Sequence, residues 1–134
     1  MNINVADEIR SEWEIGILIE NLMSRLRVVE NLRQAGFNIK TLNSGEEATT
    51  FFKNCKNPIM IFDLENKIVS LANLKELTSE NPADMERVMG FYPHVRIDLK
   101  EQAILAGIRS CYPRSKFFKN PAEVVDQIIS NLLS

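Results

Sequence analysis

The chain is poor in the side chains that make cross-links and metal cages. Its 134 residues include two cysteines, Cys55 and Cys111, and one histidine, His94. The cysteines are far apart with no CxxC pair, and one histidine adds too few soft ligands, so a disulfide scaffold and a structural zinc site are excluded. Reduced packing thiols in a cytoplasmic protein are the expectation. Charge of one sign is also lacking: 16 Lys and Arg stand against 18 Asp and Glu, a net charge of −2. That balance gives no whole-molecule field to draw in nucleic acid or an anionic membrane, so neither is expected as a direct partner. No run of about eighteen apolar residues occurs, and a start carrying Asp7, Glu8 and Glu12 is unlike a signal peptide. No GxGxxG follows any apolar run, which argues against a dinucleotide enzyme. What is present, 45% hydrophobic and 25% charged residues, suits one soluble globular domain.

The apolar residues fall into an alternating pattern. Ile15 to Ile19 is a short unbroken run ending at Glu20 and reads as a buried strand. Leu22, Leu26, Val29 and Leu32 follow at helical spacing, and Gly36 stops that helix. Phe37, Ile39 and Thr41 alternate as a second strand, and Ser44 with Glu47 forms a capping box for a helix carrying Phe51 and Phe52. Pro58 to Phe62 is a third strand ending at Asp63, and Leu71, Leu74 and Leu77 mark a helix that Asn81-Pro82 should end. Val88 to Phe91 is a fourth strand, ending at Tyr92-Pro93-His94. Asp98 with Glu101 reads as a second capping box, for a helix stopped by Gly107. Ser110 to Tyr112 is a short fifth strand, and Asn120-Pro121 opens a last helix with Val124, Val125, Ile128, Ile129 and Leu132 on its buried side. Five strands and five helices in alternation predict a doubly wound α/β fold, a five-stranded parallel sheet with helices on both faces. Residues 1–14 read as an N-terminal extension and 15–134 as the domain; Ile3, Val5, Ile9 and Trp13 leave the extension free to pack or to stay loose.

In such sheets the working groups gather at the C-terminal ends of the strands. Those ends carry Glu20, Asp63, Tyr92-Pro93-His94 and Pro113-Arg114-Ser115. Two carboxylates on adjacent strand ends suit magnesium, a hard cation that prefers oxygen, and an aspartate there suits phosphoryl transfer once a cation masks the repulsion. The blander readings are that Asp63 caps N–H groups of its own loop, that Glu20 pairs with Arg114 or Lys116, and that His94 is a loop residue. Between Gln102 and Ala122 there is no acid, while Arg109, Arg114, Lys116 and Lys119 supply four positive charges, a local patch expected on the loop around the fifth strand.

These residues together resemble a response-regulator receiver domain of the CheY-like fold: an acid closing the first strand, a helix ending in Gln34-Ala35-Gly36-Phe37, and Pro58-Ile-Met-Ile-Phe-Asp63. The resemblance runs from about Ile15 to the end. It implies that Asp63 is the phosphoacceptor, that Glu20 is one member of a magnesium-binding acidic pair, and that the ends of the fourth and fifth strands read out the phosphoryl group. Ile19 and Asn21 flank Glu20, so the second acid is missing. Phe91, Tyr92 and Pro93 supply no Ser or Thr where the family has its hydroxyl, and Arg114-Ser115 replaces the Lys-Pro of the fifth strand. Exchanging a compact ammonium for a planar guanidinium changes the reach of that contact. The resemblance also places Tyr112, or Cys111, near the fifth-strand position where the family carries a signal-transmitting aromatic.

The expectation is a non-enzymatic signalling or regulatory protein-binding module, similar to a stand-alone receiver with a degenerate phosphorylation site. Any magnesium site at Glu20 and Asp63 would be weak. Partners would be a histidine kinase, a downstream regulator, or a second copy through the Arg109 to Lys119 region. The alternative is a receiver still phosphorylated on Asp63. A third reading, a small phosphatase, rests on Asp63-Leu64-Glu65-Asn66, which resembles the nucleophile motif of haloacid-dehalogenase-type enzymes but falls on the third strand instead of the first.

Overall fold

A computed structural model describes residues 7–77 and 82–134. The elements run α1 (Asp7–Arg10), β1 (Glu14–Leu18), α2 (Leu22–Gln34), β2 (Asn38–Thr41), α3 (Gly45–Asn54), β3 (Pro58–Asp63) and α4 (Leu71–Leu77). After a 3-10 turn at Pro82–Arg87 come β4 (Val88–Tyr92), α5 (Ile97–Leu105), β5 (Ser110–Pro113), α6 (Arg114–Lys119) and α7 (Pro121–Leu133). Every strand pairing is parallel, and the order across the sheet is β2-β1-β3-β4-β5. This is the predicted doubly wound sheet. The direction of winding reverses between β1 and β3, so the ends of those two strands border the switch point where ligands of open α/β sheets bind.

Because side chains alternate across a pleated strand, a strand apolar throughout feeds two cores. Ile15, Ile17, Ile59, Ile61, Met89 and Phe91 pack with Val28 and Leu32 of α2 and with Val125, Ile128 and Ile129 of α7. Leu18, Met60, Phe62, Val88 and Tyr92 pack on the other side with Phe51 of α3, Leu74 of α4 and Leu99 of α5. Gly16 makes room on that second side: a Cβ there would stand 2.8 Å from the Phe51 ring. The helix stops at Gly36 and Gly107 are as predicted, both with positive φ, 96° and 102°. The Ser44 cap accepts from the Glu47 N–H at 3.0 Å, and Asn120 caps α7 through the Glu123 N–H at 3.4 Å.

Several local expectations are corrected. The stripe Leu22, Leu26, Val29 and Leu32 meets the core only through its second half: Leu32 is buried and Val29 packs against the core, Leu22 and Leu26 are more than half exposed, and Ser24 and Val28 complete the buried face. Asp98 does not cap α5, which starts one residue earlier; its carboxylate takes two hydrogen bonds from Arg96, at 3.0 and 2.9 Å. The stretch after β5 is not a loop but the short helix α6, whose Phe117 and Phe118 are buried against Phe91. With α1 and α6 the strict alternation of five and five gives way. Ahead of β1, Arg10 makes a two-point pair with Asp126 of α7, at 3.1 and 2.6 Å, and donates to the Ala35 carbonyl at 3.0 Å. Trp13 is buried in the α2–α7 core, and Ile9 packs against it. Asn81, Ile3 and Val5 lie outside the described residues.

Candidate functional site

Asp63 is the last residue of β3 and, with Ser24, one of two polar side chains buried among the described residues. The loop that follows is organised around it. Asp63 Oδ1 accepts from the Glu65 N–H at 2.9 Å, and its carbonyl accepts from the Asn66 side chain at 2.6 Å. Asn66 Oδ1 in turn takes the N–H groups of Ile68 and Val69. The carboxylate thus holds its own loop, the local role open to a strand-end aspartate. Burial pushes the Asp63 carboxyl above its ordinary range, and the Glu65 and Glu20 carboxylates add to the rise; the Glu65 N–H and the Arg114 guanidinium oppose it.

Glu20 lies beyond the end of β1, exposed, on the same edge as Asp63 across the switch point. Its Oε1 accepts from the Lys67 N–H at 2.7 Å, which ties β1 to the β3–α4 loop. The expected ion pair of Glu20 with Arg114 or Lys116 does not form. Asn21, where a second acid would stand, caps α2 by accepting from the Ser24 N–H at 2.9 Å. Asp63 and Glu20 thus each accept one backbone N–H, and no group of three His, Cys, Asp or Glu side chains gathers among the described residues.

The other candidates are dispersed. Tyr92 ends β4 but is buried in the α3–α5 core, turned to the opposite side of the sheet from Arg114's neighbours. Tyr112, half-buried, packs on the α2–α7 side with the Lys116 ammonium 5.4 Å from its ring centre. Ser115 is exposed on α6. Arg114 gives a short hydrogen bond to Ser24 Oγ and lies over the Phe118 ring, 4.5 Å from its centre. The guanidinium is therefore held against α2 and α6 while its charge still reaches Asp63.

The basic stretch does not form one patch. Arg109 precedes β5 and pairs with Glu86 at 3.0 Å, whereas Arg114 and Lys119 lie past the opposite end of the strand. There they meet Arg27 of α2, which donates to the Phe118 carbonyl at 3.5 Å and covers the same ring at 5.4 Å. Sequence reasoning missed Ser24 and Arg27; the signal was the three-residue spacing that places both toward α6. Of the two cysteines, Cys55 donates to Glu14 at 2.6 Å, and burial with that carboxylate pushes its thiol up to about 11. No helix of the described residues is long and apolar enough to cross a membrane.

No protein-family model matches the chain, and no curated protein matches its sequence. Solved structures do. A response regulator from Thermotoga maritima superposes with a TM-score of 0.70 at 24% identity, over 87% of this chain and 97% of that one. The chemotaxis response regulator CheY4 of Vibrio cholerae gives 0.67 at 14% identity, over 87% and 96%. A Francisella response-regulator receiver domain gives 0.72 at 10% identity, over 89% and 98%. In strand order, in pairing and in these likenesses, the chain has the CheY-like fold of response-regulator receiver domains.

Proposed function

We propose that the protein is a signalling or regulatory binding module of receiver type, non-enzymatic, in which phosphorylation at Asp63 is impaired and output passes through contacts with another protein. The observation that carries this reading is the surroundings of Asp63. Its carboxylate is buried and turned to its own loop, and the carboxylates that act on it are Glu65 of that loop and Glu20 beyond the end of β1. Arg114, at the place of the expected cation, holds Ser24. A phosphoryl group entering there would meet the Glu65 and Glu20 carboxylates, opposed by the Arg114 guanidinium. Exposed apolar side chains support the protein partner: Leu22, Met23 and Leu26 on α2, and Val95, Ile97 and Leu105 on and before α5.

The second reading, a receiver still phosphorylated on Asp63, is favoured by the position of that residue at the end of β3 beside the switch point. Intact-mass measurement after incubation with magnesium and acetyl phosphate separates the two. The proposal expects no phosphoryl adduct; an adduct that disappears in Asp63→Asn overturns it. Turnover of a chromogenic phosphate ester, lost in the same variant, would establish the phosphatase reading instead.

A further inference from the structure

Past the ends of β4 and β5 the surface sinks into a groove of about 440 Å3 lined by Arg27 of α2, Pro93 and His94 after β4, and Arg114, Ser115, Phe118 and Lys119 of α6. Three fixed cations and the one histidine of the chain face it, and no acidic side chain lines it. Elsewhere Arg10 pairs with Asp126, Arg96 with Asp98 and Arg109 with Glu86, whereas Arg25, Arg33 and Arg87 stand apart from one another in the fold without such a partner among the described residues. Among the described residues, Arg27, Arg114 and Lys119 have no carboxylate within ion-pair distance. Three cations lining one groove without an acidic side chain suit an anion.

The two guanidiniums are also held in position before any ligand arrives. Arg114 donates to the buried Ser24 hydroxyl and rests on one part of the Phe118 ring, while Arg27 donates to the Phe118 carbonyl and lies over the same ring. Phe118 is itself fixed by Phe91 and Phe117, at 5.4 and 5.6 Å between ring centres. Each arginine spends one terminal nitrogen on these contacts and keeps donors to spare, and a planar fork presented this way suits phosphate oxygens. The volume is in the range of small-ligand sites of roughly 300–1,000 Å3, more than one phosphate fills.

We propose that this groove binds a small phosphate-bearing ligand up to nucleotide size, with Arg27 and Arg114 on its phosphates and Lys119 at the rim. Binding there shares Arg114 with the surroundings of Asp63 but does not depend on phosphorylation of that residue. The ligand would bridge α2 to α6, and so join two elements that otherwise meet through Arg27, Arg114 and Phe118.

The test is a two-dimensional NMR titration of the full chain with pyrophosphate, ADP, adenosine and a hexaglutamate peptide. Saturable shifts centred on Arg27, His94, Ser115 and Phe118 are expected with pyrophosphate and ADP, ADP binding at least as tightly, and none with adenosine. Arg27→Gln and Arg114→Gln should each weaken binding about tenfold, since each removes charge-assisted hydrogen bonds. Lys119→Gln should weaken it less, and Lys53→Gln, an equal loss of charge on α3, should leave it unchanged. Because Arg27 is exposed, its variant keeps the test informative even if Arg114→Gln loses the fold. Scattered, unsaturable shifts overturn the proposal, as does equal weakening by Lys53→Gln. Binding of adenosine as tight as ADP overturns it too, and tighter binding of hexaglutamate would make the groove a docking site for an acidic protein segment.

Discussion

At the scale of single residues, Asp63 links structure to pH. Burial raises its carboxyl pKa in the folded chain above the unfolded value, so the folded state binds the proton more tightly. As pH rises from the ordinary carboxylate range through the raised folded value, Asp63 ionises in a place that disfavours the charge, and stability falls; below both values the penalty is absent. Asp63→Asn removes the ionisation while keeping an acceptor for the Glu65 N–H. The variant should therefore be more stable than the parent at pH 7, with the difference closing as pH falls to the ordinary carboxylate range, read from urea midpoints across pH. Parallel pH profiles for the two proteins would contradict this account of the site. Asp63 was legible in the sequence because an unbroken apolar run ends at it. The role of Asn21 was not, since a cap is recognised by the N–H it receives and not by residue type alone.

At the scale of elements, α2 shows how far periodicity carries. Leu22, Leu26, Val29 and Leu32 have helical spacing, and the helix is there, but the sheet takes the face through Ser24, Val28 and Leu32. A stripe of leucines reports the apolar side of a helix without saying which part of that side meets the core. Here the remainder is left facing water, where it suits a partner. Leu32→Ala should cost about 2–5 kcal/mol in stability, as truncation of a buried leucine does. Leu26→Ala should cost no more than about 0.5 kcal/mol. Denaturant unfolding of both checks this, and similar losses would mean that the helix is turned the other way. The short α6 escaped sequence reading because six residues hold too little pattern to separate a turn of helix from a loop, and its fixing contacts, Phe91 and Arg27, lie far away in the chain.

At the scale of the molecule, the near-balanced charge conceals an uneven arrangement. Glu20, Asp63 and Glu65 gather past β1 and β3, while Arg27, Arg114 and Lys119 gather past β4 and β5. The two sets share the C-terminal edge of the sheet without closing into ion pairs. The fold was legible because three unbroken apolar runs, with an alternating strand and a short fifth one, are separated by helical segments and admit few arrangements other than a parallel sheet. The groove was not, because its lining comes from α2, the β4–α5 turn and α6, which only the folded topology brings together.

The central claim is that the receiver fold here works without a phosphoryl switch at Asp63. Amide NMR spectra of the protein recorded with magnesium and beryllofluoride, a mimic of the phosphoryl group, test it most directly. The account predicts that the amides of Asp63, Glu65, Tyr92 and Arg114 stay where they are. Saturable shifts at those residues, abolished by Asp63→Asn, would contradict it.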